Sequence, residues 1–215
     1  MTTTLDASNL VLRDVHHLLK LERRSNNSFT SLLSLEPLTD SEQQDLDEIC
    51  YNFESYYEEG KILEGQIKFL LLSPLMWVSG FYHPSIRISL EEGIATIHVE
   101  DEDTLIKGRM DILAATKIHQ QTPIISLWIL LIESKNSSVD ASEGLPQLLT
   151  YAYTRLGHQE SVWGLTTNGM DYQFVYIHQG NPPTYQLFPK LSLMYPDQAT
   201  ELVQVMKAIC KLYIN

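Results

Sequence analysis

Cysteine is nearly missing from this chain of 215 residues, and the two present, Cys50 and Cys210, lie far apart. They form no disulfide framework and match no metal spacing, so a reducing cytoplasm is the expected compartment. None of the seven histidines stands at a zinc-ligand distance from a cysteine or a second histidine. Positive charge is also scarce: 15 Lys and Arg face 27 Asp and Glu, a formal net charge of −12. A protein that grips a phosphate backbone by charge alone would be basic, so the balance weighs against easy, unspecific nucleic-acid affinity. Long apolar runs are absent too. "IISLWILLI" is the longest candidate and is the length of a strand, well short of the roughly 20 residues a bilayer requires. The opening "MTTTLDASNL" has neither a basic region nor an apolar core, so no secretory signal is expected.

What remains is ordinary globular material, 44% hydrophobic and 20% charged, enough for one sizeable core. The reading is a single domain over 1–215, with an N-terminal helical extension over about 1–38. Leu10, Val11, Val15, Leu18 and Leu19 recur at helical spacing, which predicts a helix over 6–24 capped by Asp6 or Ser8. Leu46, Ile49, Cys50 and Phe53 predict a second helix that stops near Gly60. A third runs over about 61–79, with Pro74 bending its last turn. From Ser85 the period changes to two. "IRISLEEGIATIHVE" reads as a β-hairpin around a Glu-Gly turn. "LIKGRMDILAAT" and "IISLWILLIESK" read as two further strands joined by a polar connector, the second apolar on both faces like a buried central strand. A helix over 140–156 stopped by Gly157, with Pro146 making its first turn irregular or its start later, a strand pair around "TNGMD", a last strand in "TYQLFPKL" and a helix over 197–213 complete the chain. The order is that of a mixed α/β domain: a mixed β-sheet flanked by helices, with an extra helix at each end.

The chemistry concentrates where the apolar run meets Glu133, Ser134 and Lys135. Facing residues of an antiparallel pair have a constant sum. Asp111 and Glu133 sum to 244, with midpoint Thr122 in the polar connector "HQQTP". A hairpin centred there sets the two carboxylates opposite one another, Cβ atoms about 5 Å apart. Like charges so placed beside a core need neutralising, and oxygen ligands on a rigid sheet suit Mg²⁺ or Mn²⁺. Glu133 and Lys135 share a face, while Ser134 points away and offers its backbone carbonyl as a further ligand. The Lys135 ammonium then lies beside the ion, placed to orient or deprotonate a water or to stabilise charge on a phosphate oxygen. Gln147 and Tyr151, four apart on the next helix, share a face that looks back at Lys135 or a substrate phosphate. Lys107 and Arg109 alternate with Asp111 as a basic ladder leading to the site; Lys117 and Arg155 are further candidates for a basic face.

Asp111, Glu133-Ser134-Lys135 and Gln147-(three)-Tyr151 together resemble the PD-(D/E)XK nuclease superfamily, in the subgroup with the Q-x-x-x-Y helix of RecB-type nuclease domains. "EGQIKFLLLSPLMWVSGF" is similar to that family's first core helix, whose glutamate, here Glu64, assists the metal site. "VWGLTTNGMDYQFVYI" is similar to the strand pair that follows the Q-x-x-x-Y helix in the N-terminal nuclease domain of type I restriction enzyme R subunits. The likeness spans Glu64 to Ile177. Met110 stands where the family name has proline, and no Walker motif is present, so the resemblance implies no helicase motor here. It implies a restriction endonuclease-like fold and metal-dependent cleavage of DNA. Asp111, Glu133 and the Ser134 carbonyl would be metal ligands, Lys135 the catalytic base or water-placing group, and Glu64, Gln147 and Tyr151 its support. Other restriction or DNA-processing subunits are the implied partners; oligomeric state, a dimer included, stays open. The competing reading is a non-catalytic scaffold that keeps the fold and docks through Leu10, Val15, Leu18 and Leu19. A hydrolase of another phosphoester is a third.

Overall fold

The computed structural model describes residues 2–25, 28–117 and 126–214. The N-terminal part supplies β1 (Thr3–Asp6), α1 (Leu12–Leu19) and β2 (Glu22–Arg24), then α2 (Asp40–Glu58). Next come α3 (Glu64–Ile67), a π-helical segment (Lys68–Leu72) and α4 (Ser73–Val78). β3 (Ile86–Gly93), β4 (Ile97–Val99), β5 (Thr104–Lys107), β6 (Arg109–Thr116) and β7 (Trp128–Ser134) follow, then α5 (Leu145–Tyr153), β8 (Ser161–Thr167), β9 (Asp171–His178), β10 (Thr184–Ser192) and α6 (Pro196–Lys211).

Seven strands form one mixed sheet in the order β2-β10-β9-β8-β7-β6-β3. β7 and β8 run parallel, and α5 makes the crossover such a pair requires. The sheet divides two cores. Ile112, Ala114, Leu130 and Ile132 face α2, α4 and α6; Leu113, Ala115 and Leu131 face α1 and α5. Every residue of β7 is buried, as a strand covered on both faces must be.

The β6–β7 register follows the expected constant sum: Ile112 faces Ile132, Leu113 faces Leu131 and Ala114 faces Leu130. A bulge interrupts it before Ala115. The connector midpoint, Thr122, lies outside the described residues.

Three expectations change. First, residues 86–99 are no hairpin: β3 pairs with β6, while β4 pairs with β5 in a separate three-stranded sheet of order β1-β5-β4. Alternation reports which face is buried and says nothing about partners. Second, "LIKGRMDILAAT" is two strands that part at Gly108 and belong to different sheets. Gly108 is required there, because a Cβ would stand 2.6 Å from Cε1 of Tyr151 and 3.0 Å from Cβ of Ala7. Third, the helix over 6–24 is shorter. Asp6 caps a 3₁₀ turn by accepting from the Ser8 amide at 2.9 Å, and only Leu12–Leu19 is α-helical. The flanking residues enter strands, β1 beside β5 and β2 beside β10. Leu10, Val15 and Leu19 are buried against α5 and the sheet, with Leu18 packed beside them, so this apolar face is core and not a docking surface.

The segment around Pro74 is one helical run with a π turn in its middle. Proline cannot donate and its ring crowds the carbonyl four residues back. The chain widens instead, and the Ser73 amide bonds to the Lys68 carbonyl, five residues back. α5 starts late, as Pro146 demands, after a 3₁₀ turn over Ala141–Gly144 that Asp140 caps.

Candidate active site

Asp111 stands near the start of β6 and Glu133 near the end of β7, on the face of the sheet that carries Leu113 and Leu131. Continuing the β6–β7 register sets them opposite one another. Both are buried, Asp111 at 7% and Glu133 at 1% exposure. They line a cavity of about 570 Å³ together with Glu64, Lys135, Gln147 and Tyr151, so the structure brings all six side chains named from the sequence to one place.

The Lys135 ammonium donates to Oε1 of Glu133 at 2.8 Å and to Oε1 of Gln147 at 3.0 Å. The Gln147 amide in turn donates to the Tyr151 hydroxyl at 2.6 Å. The root of Lys135 is fixed as well, since its amide donates to the Thr167 carbonyl at 2.8 Å and so extends the β7–β8 ladder by one residue. Burial raises the Tyr151 pKa above the ordinary phenol, against the opposing hydrogen bond from Gln147. Tyr151 is therefore a neutral prop at physiological pH.

Burial, and then the Asp111 charge, push Glu133 up to about 8; Lys135 pulls the other way. The burial has a local cause. Gly144 packs so close that a Cβ there would stand 3.0 Å from Cγ of Glu133, which keeps water off the carboxylate.

Ser134 does not point away. Its amide and its hydroxyl both donate to Oδ2 of Asp111, each at 2.8 Å. The regular ladder stops at Ile112 and Ile132, so beyond it the aspartate turns to the strand end and takes the donors it finds there. The backbone of Ser134 is thus bound to Asp111, and its carbonyl remains the candidate ligand.

Two further residues belong to the site. The Lys68 ammonium meets Oδ1 of Asp111 at 2.8 Å, Oε1 of Glu91 at 2.7 Å and Oε1 of Glu64 at 3.1 Å. Burial opposes its charge, but the bonds to Asp111 and Glu91 outweigh that and raise its pKa above the ordinary lysine range. Glu91 is in β3, where Leu90 faces Ile112 and Glu92 faces Met110; the same register sets Glu91 opposite Asp111. Glu91, Asp111 and Glu133 therefore form a row of acids across β3, β6 and β7, with Lys68 on one side and Lys135 on the other. Lys68 was legible as the i+4 neighbour of Glu64. Glu91 was hidden by the hairpin reading, which folded its strand onto the wrong partner.

The basic ladder is only partly realised. Lys107 and Arg109 line the cavity from two different sheets, and Arg109 is 3.0 Å from Glu91. Lys117 and Arg155 lie elsewhere. Lys117 donates to the Pro84 carbonyl at 3.0 Å, and Arg155 to the Ser126 carbonyl at 2.7 Å while covering the Trp128 ring at 5.0 Å.

Oxygen donors of this kind could hold a hard divalent cation. Glu133 Oε2 is buried without a hydrogen-bond partner among the described residues, and Asp111 stands opposite with the Ser134 carbonyl adjoining. Among the described residues no group of three or more Asp, Glu, His or Cys is placed to hold a metal ion. No helix among the described residues is long and apolar enough to cross a membrane. No family model matches the chain, and no curated protein matches it.

Proposed function

We propose that this chain is a metal-dependent phosphodiester hydrolase of the PD-(D/E)XK type, acting on DNA with Mg²⁺ or Mn²⁺. The observation that carries the reading is the unbroken chain of contacts from Glu133 through Lys135 and Gln147 to Tyr151, set against Asp111 on the neighbouring strand. A structural ion pair needs Glu133 and Lys135 only; it does not need a buried amide and a phenol to aim the ammonium.

Asp111, Glu133 and the Ser134 carbonyl would hold the ion, which supplies charge neutralisation at the phosphate and a more acidic water. An ammonium has three donors, and Lys135 spends two, on Glu133 and Gln147. The third is left to orient a water or to stabilise a phosphate oxygen, so Lys135 acts as a donor and not as a base. Gln147 fixes the direction of that donor and Tyr151 fixes Gln147. Glu64 completes the acidic rim through Lys68. Lys107 and Arg109 bring positive charge to a cavity wall that also carries Asp6, Glu64, Glu91, Asp111 and Glu133.

The test is cleavage of plasmid and linear DNA with Mg²⁺ or Mn²⁺, run beside Lys135→Ala. Metal-dependent cleavage that is lost in the variant supports the reading; cleavage undiminished in Lys135→Ala excludes it. The scaffold reading is favoured by one observation, that Lys68 already neutralises Asp111 without any metal. It requires that the wild-type chain cut no DNA and bind no divalent ion. Its docking surface would not be α1, whose apolar side is buried.

A further inference from the structure

We propose that Lys68 is the resident counter-ion of the acid row, and that a divalent ion reaches Asp111 only by displacing its ammonium. The inference rests on the metal-dependent reading above and deepens it.

Carboxylate oxygens are scarce at the aspartate. Asp111 has two. Oδ2 accepts from the Ser134 amide and the Ser134 hydroxyl, both at 2.8 Å. Oδ1 is the atom that Lys68 holds at 2.8 Å. Three of the four lone-pair sites of the carboxylate are therefore taken, and the one left on Oδ1 lies beside the Lys68 ammonium, whose charge repels a metal ion there.

Three carboxylates from α3, β3 and β6 surround one nitrogen at 2.7–3.1 Å, and an ammonium has one proton for each of them. Mg²⁺ takes oxygen at about 2.0–2.1 Å. The ring of Glu64, Glu91 and Asp111 as built is cut to an ammonium and not to a metal.

Glu91 faces Asp111 across β3 and β6 by register, an arrangement that repels unless a cation intervenes. Glu91 also adopts φ +53°, a left-handed conformation rare outside glycine. Its side chain nevertheless turns to Lys68 and Arg109. Lys68 itself is the first residue of the π turn, so the widening that Pro74 imposes begins at the residue that carries the ammonium.

The experiment is calorimetric titration of Mn²⁺, without DNA, into the full chain and into Lys68→Met and Glu91→Gln. Lys68→Met should bind Mn²⁺ at least about tenfold more tightly than wild type, one decade being the smallest change that decides the matter. Glu91→Gln, which loosens the ammonium without removing it, should bind more tightly by a smaller factor. Equal or weaker binding by Lys68→Met overturns the inference and leaves the metal-dependent reading standing. Absence of Mn²⁺ uptake by both wild type and Lys68→Met overturns the two together. Should Lys68→Met fail to fold, Glu91→Gln decides alone: tighter binding supports displacement, and unchanged or weaker binding overturns it.

Discussion

The acid row is flanked by two lysines that are held in opposite ways. Lys135 sits two residues from its partner Glu133 on the same strand and is backed by an amide and a buried phenol. Lys68 comes from a helix in the other layer and is shared among three carboxylates, two of them well exposed. The first arrangement fixes a direction, because each acceptor is itself immobilised. The second fixes only a charge, because Glu64 and Glu91 are free to let go. A site that must aim one ammonium and part with another would be built this way.

That contrast can be broken at several points. Lys135→Ala should have the largest effect, lowering DNA cleavage by about 10²–10³-fold, the range for loss of a preorganised donor, as read by initial rates at saturating Mg²⁺. Gly108→Ala comes next. Its Cβ would meet Tyr151 Cε1 at 2.6 Å, and overpacking of that kind costs about 1–3 kcal/mol in a denaturant melt; the same displacement should slacken the Lys135 side and leave Mn²⁺ affinity unchanged. The third is a pH effect. Glu133 is raised from its ordinary 4.5 to about 8, so the folded state holds a proton that the unfolded chain releases. The stability linked to that proton is whole below about pH 4.5 and is lost as the pH climbs to 8. Metal-free melts should show this decline, Glu133→Gln should flatten it, and Mn²⁺ should oppose it. The smallest effect belongs to Tyr151→Phe, which removes one hydrogen-bond acceptor, a loss of about 1 kcal/mol and a less than about tenfold fall in cleavage rate.

The parts legible in the sequence were those governed by neighbours in the chain. β7 announced itself by an apolar run bounded by Glu133, and the Asp111–Glu133 register followed from arithmetic that needed only a hairpin. Gln147 and Tyr151 were readable because a helix fixes what lies four residues apart. β8, β9, β10 and α6 follow the same logic. The illegible parts depended on long-range partners. β3 and β4 alternate as a hairpin would, yet each finds a different strand. Gly108 looked like a residue inside one strand, when it is the joint between two sheets. The contact between Lys68 and Asp111 crosses 43 positions of sequence, and no periodicity within either segment encodes it.

The small sheet gives the first residues of the chain an unexpected standing. β1 runs beside β5, and Asp6 and Ser8 reach the rim of the same hollow that holds the acids. A trimmed form that begins after Ser8 would strip one bank from this hollow, and with it the buried Ala7 that packs beside Gly108, while keeping all six side chains first named for the site. Rates measured on such a shortened protein, or on one with a bulky tag fused ahead of Thr3, would describe a breached basin and not the intact one.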